Sequence, residues 1–394
     1  MEEKTLVIIE FDYHAEVLAN AMKVLISLKE YKILLFTTDK IWKQVCFSLK
    51  QKENVDIHTA NSPKEIQNLI KSRLTDINKA EAIFFNTIAS NFKFFSSVNF
   101  IPPVILRIHN SNTYFNPIRS INPKLSPFYI WKDVSYLVLH VILKLDTVYR
   151  SKFIREKVDY FQFPCSTIAN YALENNYVSN SKLFPTVPYV FMNEVLPGVK
   201  TNTATNIVIL GGIDKRRRNY KEVYEALKLL VPKLNRSVKL SLVGKPFGFY
   251  GKKIIQNFRK LETDHFQVET FNSFVPQNKF DEITANANFL IIPTVKETRY
   301  KLYKELYGFT KISGNINDMI VYQKPALLPS FYPLEDALLK HGETYKDKSE
   351  LVDLLKAWIL DEKYNKYRIG EILADYDFDA IVENTRKGLQ KVTN

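Results

Sequence analysis

Four apolar runs in the first half of the chain set its fold class. TLVIIEF (5–11), YKILLFTTD (31–39), EAIFFNT (81–87) and PPVILRIH (102–109) are almost continuously hydrophobic over the length of a strand. A strand covered on one face alternates apolar and polar residues. A run without alternation needs cover on both faces, as in a parallel sheet between two layers of helices. Helical patterns separate these runs, among them Glu16 to Leu28 and Pro63 to Leu74, and a further short run is VDYFQFPC (158–165). This is the rhythm of βαβ units.

The rhythm pauses at about Leu183 to Thr205, where PTVPYV and LPGVKTNTATN are rich in Pro, Thr and Asn and lack periodicity. It then restarts. NIVILGG (206–212), VKLSLVGKP (238–246), ANFLIIPT (287–294) and KPALLP (324–329) read as strands, and Tyr220 to Leu234 as a helix. A chain of 394 residues also exceeds one ordinary core. The expected division is 1–190, 191–375 and a C-terminal segment, 376–394. That last segment reads as an amphipathic helix, with Asp379 near its start and Lys387 and Lys391 near its end, and is expected to pack back on the first domain.

The formal net charge is +13. A lysine-rich solvated surface accounts for part of it; an anionic membrane surface or phosphorylated small molecules are the partners it suits. The positive charge is spread along the chain without a basic tail, which argues against nucleic acid. Cys46 and Cys165 form neither a metal-ligand spacing nor a disulfide framework. With no signal-peptide pattern at MEEKTLVIIEF, a reducing, cytoplasmic setting is expected.

In open α/β sheets, ligands bind beyond the carboxyl ends of the strands. After NIVIL come Gly211 and Gly212, then Lys215, Arg216, Arg217 and Arg218, then a helix. Glycines admit a ligand close to the backbone, and guanidinium forks bind phosphate. The plain alternative is a basic surface turn. No GxGxxG or Walker A pattern is present. A second stretch, Thr310-Lys311-Ile312-Ser313-Gly314, leads into a helical run expected over Asn315 to Tyr322, with Ser313 or Asn315 as its cap. Unpaired N–H groups and the positive end of a helix dipole attract an anion, and Lys311 adds a charge. Asp318 falls one turn inside, within reach of a sugar hydroxyl attached to that anion. A diphosphate carrying a ribose fits this pattern; an ordinary capped helix with a solvent-facing aspartate is the alternative.

These segments, in this order, resemble the nucleotide-binding domain of the GT-B glycosyltransferases, especially the large retaining family four active in bacterial glycan synthesis. RNYKEVYEAL resembles that family's "KG…LLEA" helix and places Arg218 where the family has a phosphate-binding lysine. LSLVGKP resembles the next strand and its glycine turn. ANANFLIIPT with DMIVYQKPALLP resembles the "ad.fl.PS … EAMA.G.PVV" block, and counting back from Pro325 places Asp318 at the ribose-binding glutamate. A literal Glu-x7-Glu, Glu297 and Glu305, lies at the wrong distance from Pro325; the preferred register pairs Thr310 with Asp318 and leaves both glutamates in an extra loop. The arginine usual after the first glycine is replaced by Ile213, and Lys215 to Arg217 stand in for it.

The first half resembles the acceptor domain more loosely. PPVILRIHNSN ends in His109-Asn110, like the family's histidine loop beside the donor sugar; a structural histidine is the alternative, more so for His14. Asp12 and His14 after the first strand, and Asn86 after FF, are expected on the acceptor side. The resemblance implies an α/β, GT-B fold: two Rossmann-like, doubly wound domains facing a central cleft. It also implies transfer of a sugar, with retention, from a UDP- or GDP-linked donor to a lipid-linked or growing glycan of cell-surface polysaccharide. It implies no metal and no cofactor, the nucleotide-sugar being a substrate. His109, Arg218 and Lys311 are the expected catalytic residues; Gly211, Gly212, Lys215, Arg217, Ser313, Gly314, Asn315 and Asp318 the donor-binding set. A sugar-nucleotide 2-epimerase of the same fold and a non-catalytic basic membrane-surface protein are the alternatives.

Two further features bear on partners. Asp375, Asp377 and Asp379 form DxD pairs, read as helix capping and solvation rather than a metal site. Residues 129–158 hold an apolar run, Tyr136 to Leu145, too short to span a bilayer and followed by Arg150, Lys152, Arg155 and Lys157. A buried core helix is the favoured reading; peripheral contact with the inner face of the cytoplasmic membrane is the other.

Overall fold

The computed structural model describes residues 4–49, 54–123, 127–188, 190–192, 204–367 and 376–393. It contains two compact units. The first comprises 1–191, 299–305 and 377–394; the second comprises 192–298 and 306–376.

The first unit is built on a six-stranded sheet of β1 (Lys4–Glu10), β2 (Tyr31–Thr37), β3 (Val55–Thr59), β4 (Ala82–Thr87), β5 (Val104–Arg107) and β6 (Tyr160–Gln162), in the order β3-β2-β1-β4-β5-β6. Every pairing is parallel. Leu6 to Ile9 of β1 are buried to within 1%, which explains their unbroken hydrophobicity. The helix Phe378–Thr393 belongs to this unit and buries Ile381, Val382 and Leu389 in the same core cluster as Leu18, Met22 and Leu25 of the helix Ala15–Ile26.

The second unit repeats the plan. Its strands are β7 (Thr205–Leu210), β8 (Val238–Val243), β9 (Phe266–Thr270), β10 (Phe289–Ile291), β13 (Ala326–Pro329) and β14 (Gly342–Tyr345), in the order β14-β13-β10-β7-β8-β9, again all parallel. The helices Tyr220–Leu230 and Lys348–Leu360 supply much of its core, Trp358 included. In both sheets the winding reverses beside the first strand of the unit, between β1 and β4 and between β7 and β10. Such a switch point leaves a crevice at the carboxyl ends where a ligand fits.

Three strands escape the hydrophobic-run criterion: β3, β9 and β14. All three are sheet edges, and most of their residues are only partly buried. The region of Glu297 and Glu305, expected as an extra loop, is a pair of short strands, β11 (Glu297–Tyr300) and β12 (Tyr303–Leu306). Lys301, at φ 53°, makes the turn. The expected buried helix at 129–158 is also corrected. It is three pieces: α over Pro127–Tyr136, π over Leu137–Leu143, and α over Asp146–Lys157. No residue of the π segment is buried.

Candidate functional site

In the second unit, the chain leaves β7 through Gly211 at φ +84°. A Cβ there would lie 2.3 Å from Nη2 of Arg218, so both the backbone angle and the close approach require glycine. The four basic residues beyond it separate in role. Arg216 turns back on Asp214, with Nε 2.8 Å from Oδ2 and its Nη2 on the same oxygen. Burial pushes the Asp214 carboxyl up, but the hydrogen bonds from Arg216 outweigh it and hold the group below the usual carboxylate range. Lys215 and Arg217 are exposed. Arg218 alone points inward: Nη1 donates to the Gly212 carbonyl at 3.1 Å, and Nε and Nη2 donate to Oδ1 of Asn315 at 3.2 and 2.8 Å.

Asn315 lies in the first turn of the helix Gly314–Val321, which starts one residue earlier than the pattern suggested. Its amide donates to the Leu210 carbonyl at 3.3 Å and to Oδ2 of Asp318 at 3.0 Å. Neither expected side-chain cap forms: Ser313 stands at the N-cap without a side-chain bond, and its N–H donates to the Tyr332 hydroxyl at 3.2 Å. Gly314 has ordinary φ, and a Cβ there would meet nothing within 4 Å. The fold therefore does not need this glycine, and open space lies over the helix end. A guanidinium at a helix N-terminus opposes the dipole. The two become mutually favourable when an anion sits between them. Lys311 is half-buried in the preceding turn, its N–H on Leu306 and its carbonyl accepting from Gly308. Thr310 is fully buried, and its hydroxyl accepts from the Leu306 N–H at 2.7 Å.

In the first unit, the carboxyl ends of β1, β4, β5 and β6 carry a buried polar chain. Nδ2 of Asn86 donates to Glu10 at 2.6 Å. Arg107 donates to Oδ1 of Asn86 at 2.7 Å and to Oε1 of Gln162 at 2.6 Å. Glu10 also accepts the N–H groups of Asp12 and Tyr13, both at 3.0 Å. Asn86 is thus a scaffold residue with both ends of its amide engaged. Asp12 ties its loop to the next, accepting from the Ala89 N–H at 2.8 Å and the Ser90 hydroxyl at 2.6 Å. His109 donates from Nε2 to the Asn86 carbonyl at 2.8 Å, a partner that only accepts and so fixes the proton on that nitrogen. Its ring stacks on His14 at 4.1 Å, and His14 sits in the left-handed region at φ 61°. Both rings line a recess with Asn110, Thr113, Arg150, Tyr300 and Lys301. The sequence places Arg150 with the exposed bases of 150–157. The structure buries it, because its position on the helix Asp146–Lys157 faces Phe92 and Tyr303.

The structure thus brings Gly211, Gly212, Arg218, Asn315 and Asp318 together in one unit and His14, His109 and Asn110 in the other. Asp377, from the DxD run, accepts the N–H groups of Asp379 and Ala380 and caps its helix; Asp375 lies outside the described residues.

Glu10 carries a pH signature. Burial pushes its carboxyl up to about 7, against the hydrogen bond from Asn86 and those from the backbone. Between the unfolded value of 4.5 and about 7, the native state holds a proton that the unfolded chain has lost. The stability tied to Glu10 is therefore complete below 4.5 and declines as pH rises through 7, by about 3 kcal/mol in all. Chemical denaturation at pH 5 and pH 8 should show this decline in the parent and not in Glu10→Gln, which starts from lower stability because its amide meets the Asn86 donor. Equal declines in the two proteins would contradict the assignment.

No protein-family model and no curated protein sequence matches the chain significantly. Solved structures do match. A glycosyltransferase from Rickettsia africae ESF-5 superposes at TM-score 0.64 with 9% identity, covering 100% of this chain and 99% of that one. The lipopolysaccharide outer core galactosyltransferase WaaB, in its apo form, gives 0.59 at 12% identity over 98% and 99%. A UDP-N-acetylglucosamine 2-epimerase gives 0.52 at 12% over 96% and 94%. At such identities the likeness establishes the fold, which is GT-B with two Rossmann-like domains.

Proposed function

We propose that the chain is a glycosyltransferase that moves a sugar from a UDP- or GDP-linked donor to a hydroxyl acceptor, with retention at the anomeric carbon. The observation that carries this reading is the cluster at the end of β7, where Arg218 is anchored on Asn315 at the N-terminus of a helix whose first turn is open. Arg218, Lys311 and the helix end neutralise the departing diphosphate, the electrostatic contribution on which such a reaction depends most. Asp318, positioned by Asn315, receives the ribose hydroxyls. His109 orients the sugar or the acceptor. No metal is required where these groups balance the phosphates.

Titration with UDP, GDP and their sugars tests the reading. The parent is expected to bind one of them, and Lys311→Ala and Asp318→Ala to bind it at least tenfold more weakly, roughly the effect of one charge-assisted hydrogen bond. A parent that binds no nucleotide ends the proposal. The 2-epimerase likeness supplies the rival. An epimerase exchanges the hydrogen at the sugar's epimerised carbon with deuterium from solvent, and a transferase does not.

The acceptor is a lipid-linked or growing glycan of the cell surface, reached at the inner face of the cytoplasmic membrane. Support comes from the helices Pro127–Tyr136 and Asp146–Lys157 and the π segment between them. Trp131, Ile142 and Leu143 are 78%, 56% and 68% exposed, and Ile130, Val134, Val138, Leu139, Leu145 and Val148 are exposed too. Ile130, Val134, Val138 and Ile142 advance by four residues, so they form one stripe. Lys132 and Lys144 are exposed among them. The inner side is fixed by polar ties, Arg299 to Asp133 at 2.6 Å and Arg150 to the Thr113 carbonyl at 2.7 Å. Among the described residues, no helix is long and apolar enough to cross a membrane; the stripe would lie in the interface. The parent should sediment with phosphatidylglycerol vesicles, less so at raised salt, and a Leu139→Ser, Ile142→Ser, Leu143→Ser variant should not. Equal sedimentation of both proteins would refute the contact.

A further inference from the structure

The recess in the first unit contains a buried cation that makes no ion pair among the described residues. Arg150 is 3% exposed. One N–H, on Nη1, reaches the Thr113 carbonyl; Nε is buried with no hydrogen-bond partner among the described residues. The ion pairs of its helix are made by Asp146, Lys152 and Arg155 and leave Arg150 out. The faces of Phe92 and Tyr303, each 5.0 Å from the guanidinium carbon, offset part of the burial but accept no N–H bond in the guanidinium plane. A charge removed from water and left unpaired is strongly unfavourable. Proteins keep such groups where a ligand supplies the missing partner. The surroundings agree. Lys301 and His14 line the same recess, and among the described residues no acidic side chain does. Its floor is rigid, since Thr113 holds Arg150 through its carbonyl while its N–H and hydroxyl are bound to Glu305 at 2.8 and 2.6 Å.

We propose that this recess binds an anionic group, phosphoryl or carboxylate, carried by the acceptor substrate, with Arg150 and Lys301 as its specificity-determining residues. That the anion belongs to an acceptor rests on the glycosyl-transfer reading; the binding of an anion does not.

The test uses full-length protein carrying Arg218→Ala, so that the phosphate site of the second unit is weakened. Thermal unfolding is followed against inorganic phosphate at constant ionic strength, with chloride as reference. Phosphate is expected to raise the melting temperature. Adding Arg150→Lys, which keeps the charge but loses the fork, or Lys301→Asn, which keeps the left-handed turn, should weaken the response roughly tenfold each, the scale of one charge-assisted hydrogen bond. If Arg150→Lys fails to fold, Lys301→Asn decides. No phosphate response in Arg218→Ala, or an unchanged response in both added variants, overturns the proposal. Glucose 6-phosphate and glucuronate separate the two chemistries. Whichever matches the acceptor should bind more tightly than inorganic phosphate, and glucose should not bind. Phosphate binding with no gain from either attached sugar would leave an anion site unrelated to the acceptor and overturn that part. Failure of nucleotide binding in the parent bears on the second unit only.

Discussion

Replacing Arg218 by alanine is expected to weaken nucleoside diphosphate binding roughly a hundredfold, about 2.7 kcal/mol, while leaving the fold intact. The side chain makes its described hydrogen bonds to one carbonyl and one amide oxygen beyond the carboxyl end of β7, and it is only partly buried. Its removal opens space beside the half-buried Gly212 carbonyl and the Asn315 amide oxygen. Lysine at the same position should recover part of the affinity through its charge and none of the fork geometry. Two glycines sharpen the test. Gly211→Ala drives a Cβ into the guanidinium and demands φ +84° of a residue that resists it, so it should disturb Arg218 and lose both binding and stability. Gly314→Ala meets nothing within 4 Å at an ordinary helical position. It should hold or slightly raise stability, since alanine narrows the unfolded ensemble, while its methyl group obstructs the approach of a phosphate to the helix end. Calorimetric titration alongside melting curves reads both effects. Full nucleotide affinity in Arg218→Ala would remove this arginine from the site.

Both sheets and their parallel winding were legible because central strands of a doubly wound sheet must be apolar on both faces. β1, β2 and β7 announce themselves by that need. The edge strands β3, β9 and β14 have one neighbour and partial cover, so their residues satisfy weaker constraints and look like loop. In the candidate site, the grouping of Arg218, Asn315 and Asp318 was legible because they stand just past a strand end or in the first turns of a helix, positions that local sequence marks. That Arg216 is held back by Asp214 was not legible, because the turn that joins them is set by the fold and not by the run of bases. Arg150 was misplaced for a related reason. Its charge suggests solvent, and only the position of Thr113, 37 residues earlier in sequence, shows what it binds. The apolar run before it was equally ambiguous: hydrophobicity demands cover, and sequence does not say whether protein or lipid provides it.

The second glutamate of the literal Glu-x7-Glu, Glu305, should prove to be structural. Glu305 is fully buried in the first unit. It accepts the N–H groups of Asn112 and Thr113 at 3.3 and 2.8 Å and the Thr113 hydroxyl at 2.6 Å, a carboxylate capping the helix Ser111–Phe115. Asn112 returns a bond to the Lys304 carbonyl at 3.0 Å. Glu305→Ala leaves two N–H groups and a hydroxyl without an acceptor away from water, at an expected cost of about 3–5 kcal/mol. Glu305→Gln keeps one acceptor oxygen but turns an amide donor toward the remaining donors, and should cost about 2 kcal/mol. Glu297, exposed at the start of β11, should tolerate alanine within about 0.5 kcal/mol. Urea denaturation of the three variants ranks them directly. A catalytic Glu-x7-Glu pair would give the opposite pattern, with both glutamates needed for turnover and neither for stability. The distinction also reaches the recess, because Glu305 holds Thr113 and Thr113 holds Arg150. Loss of Glu305 should therefore loosen the phosphate response of the first unit even at temperatures where the protein remains folded.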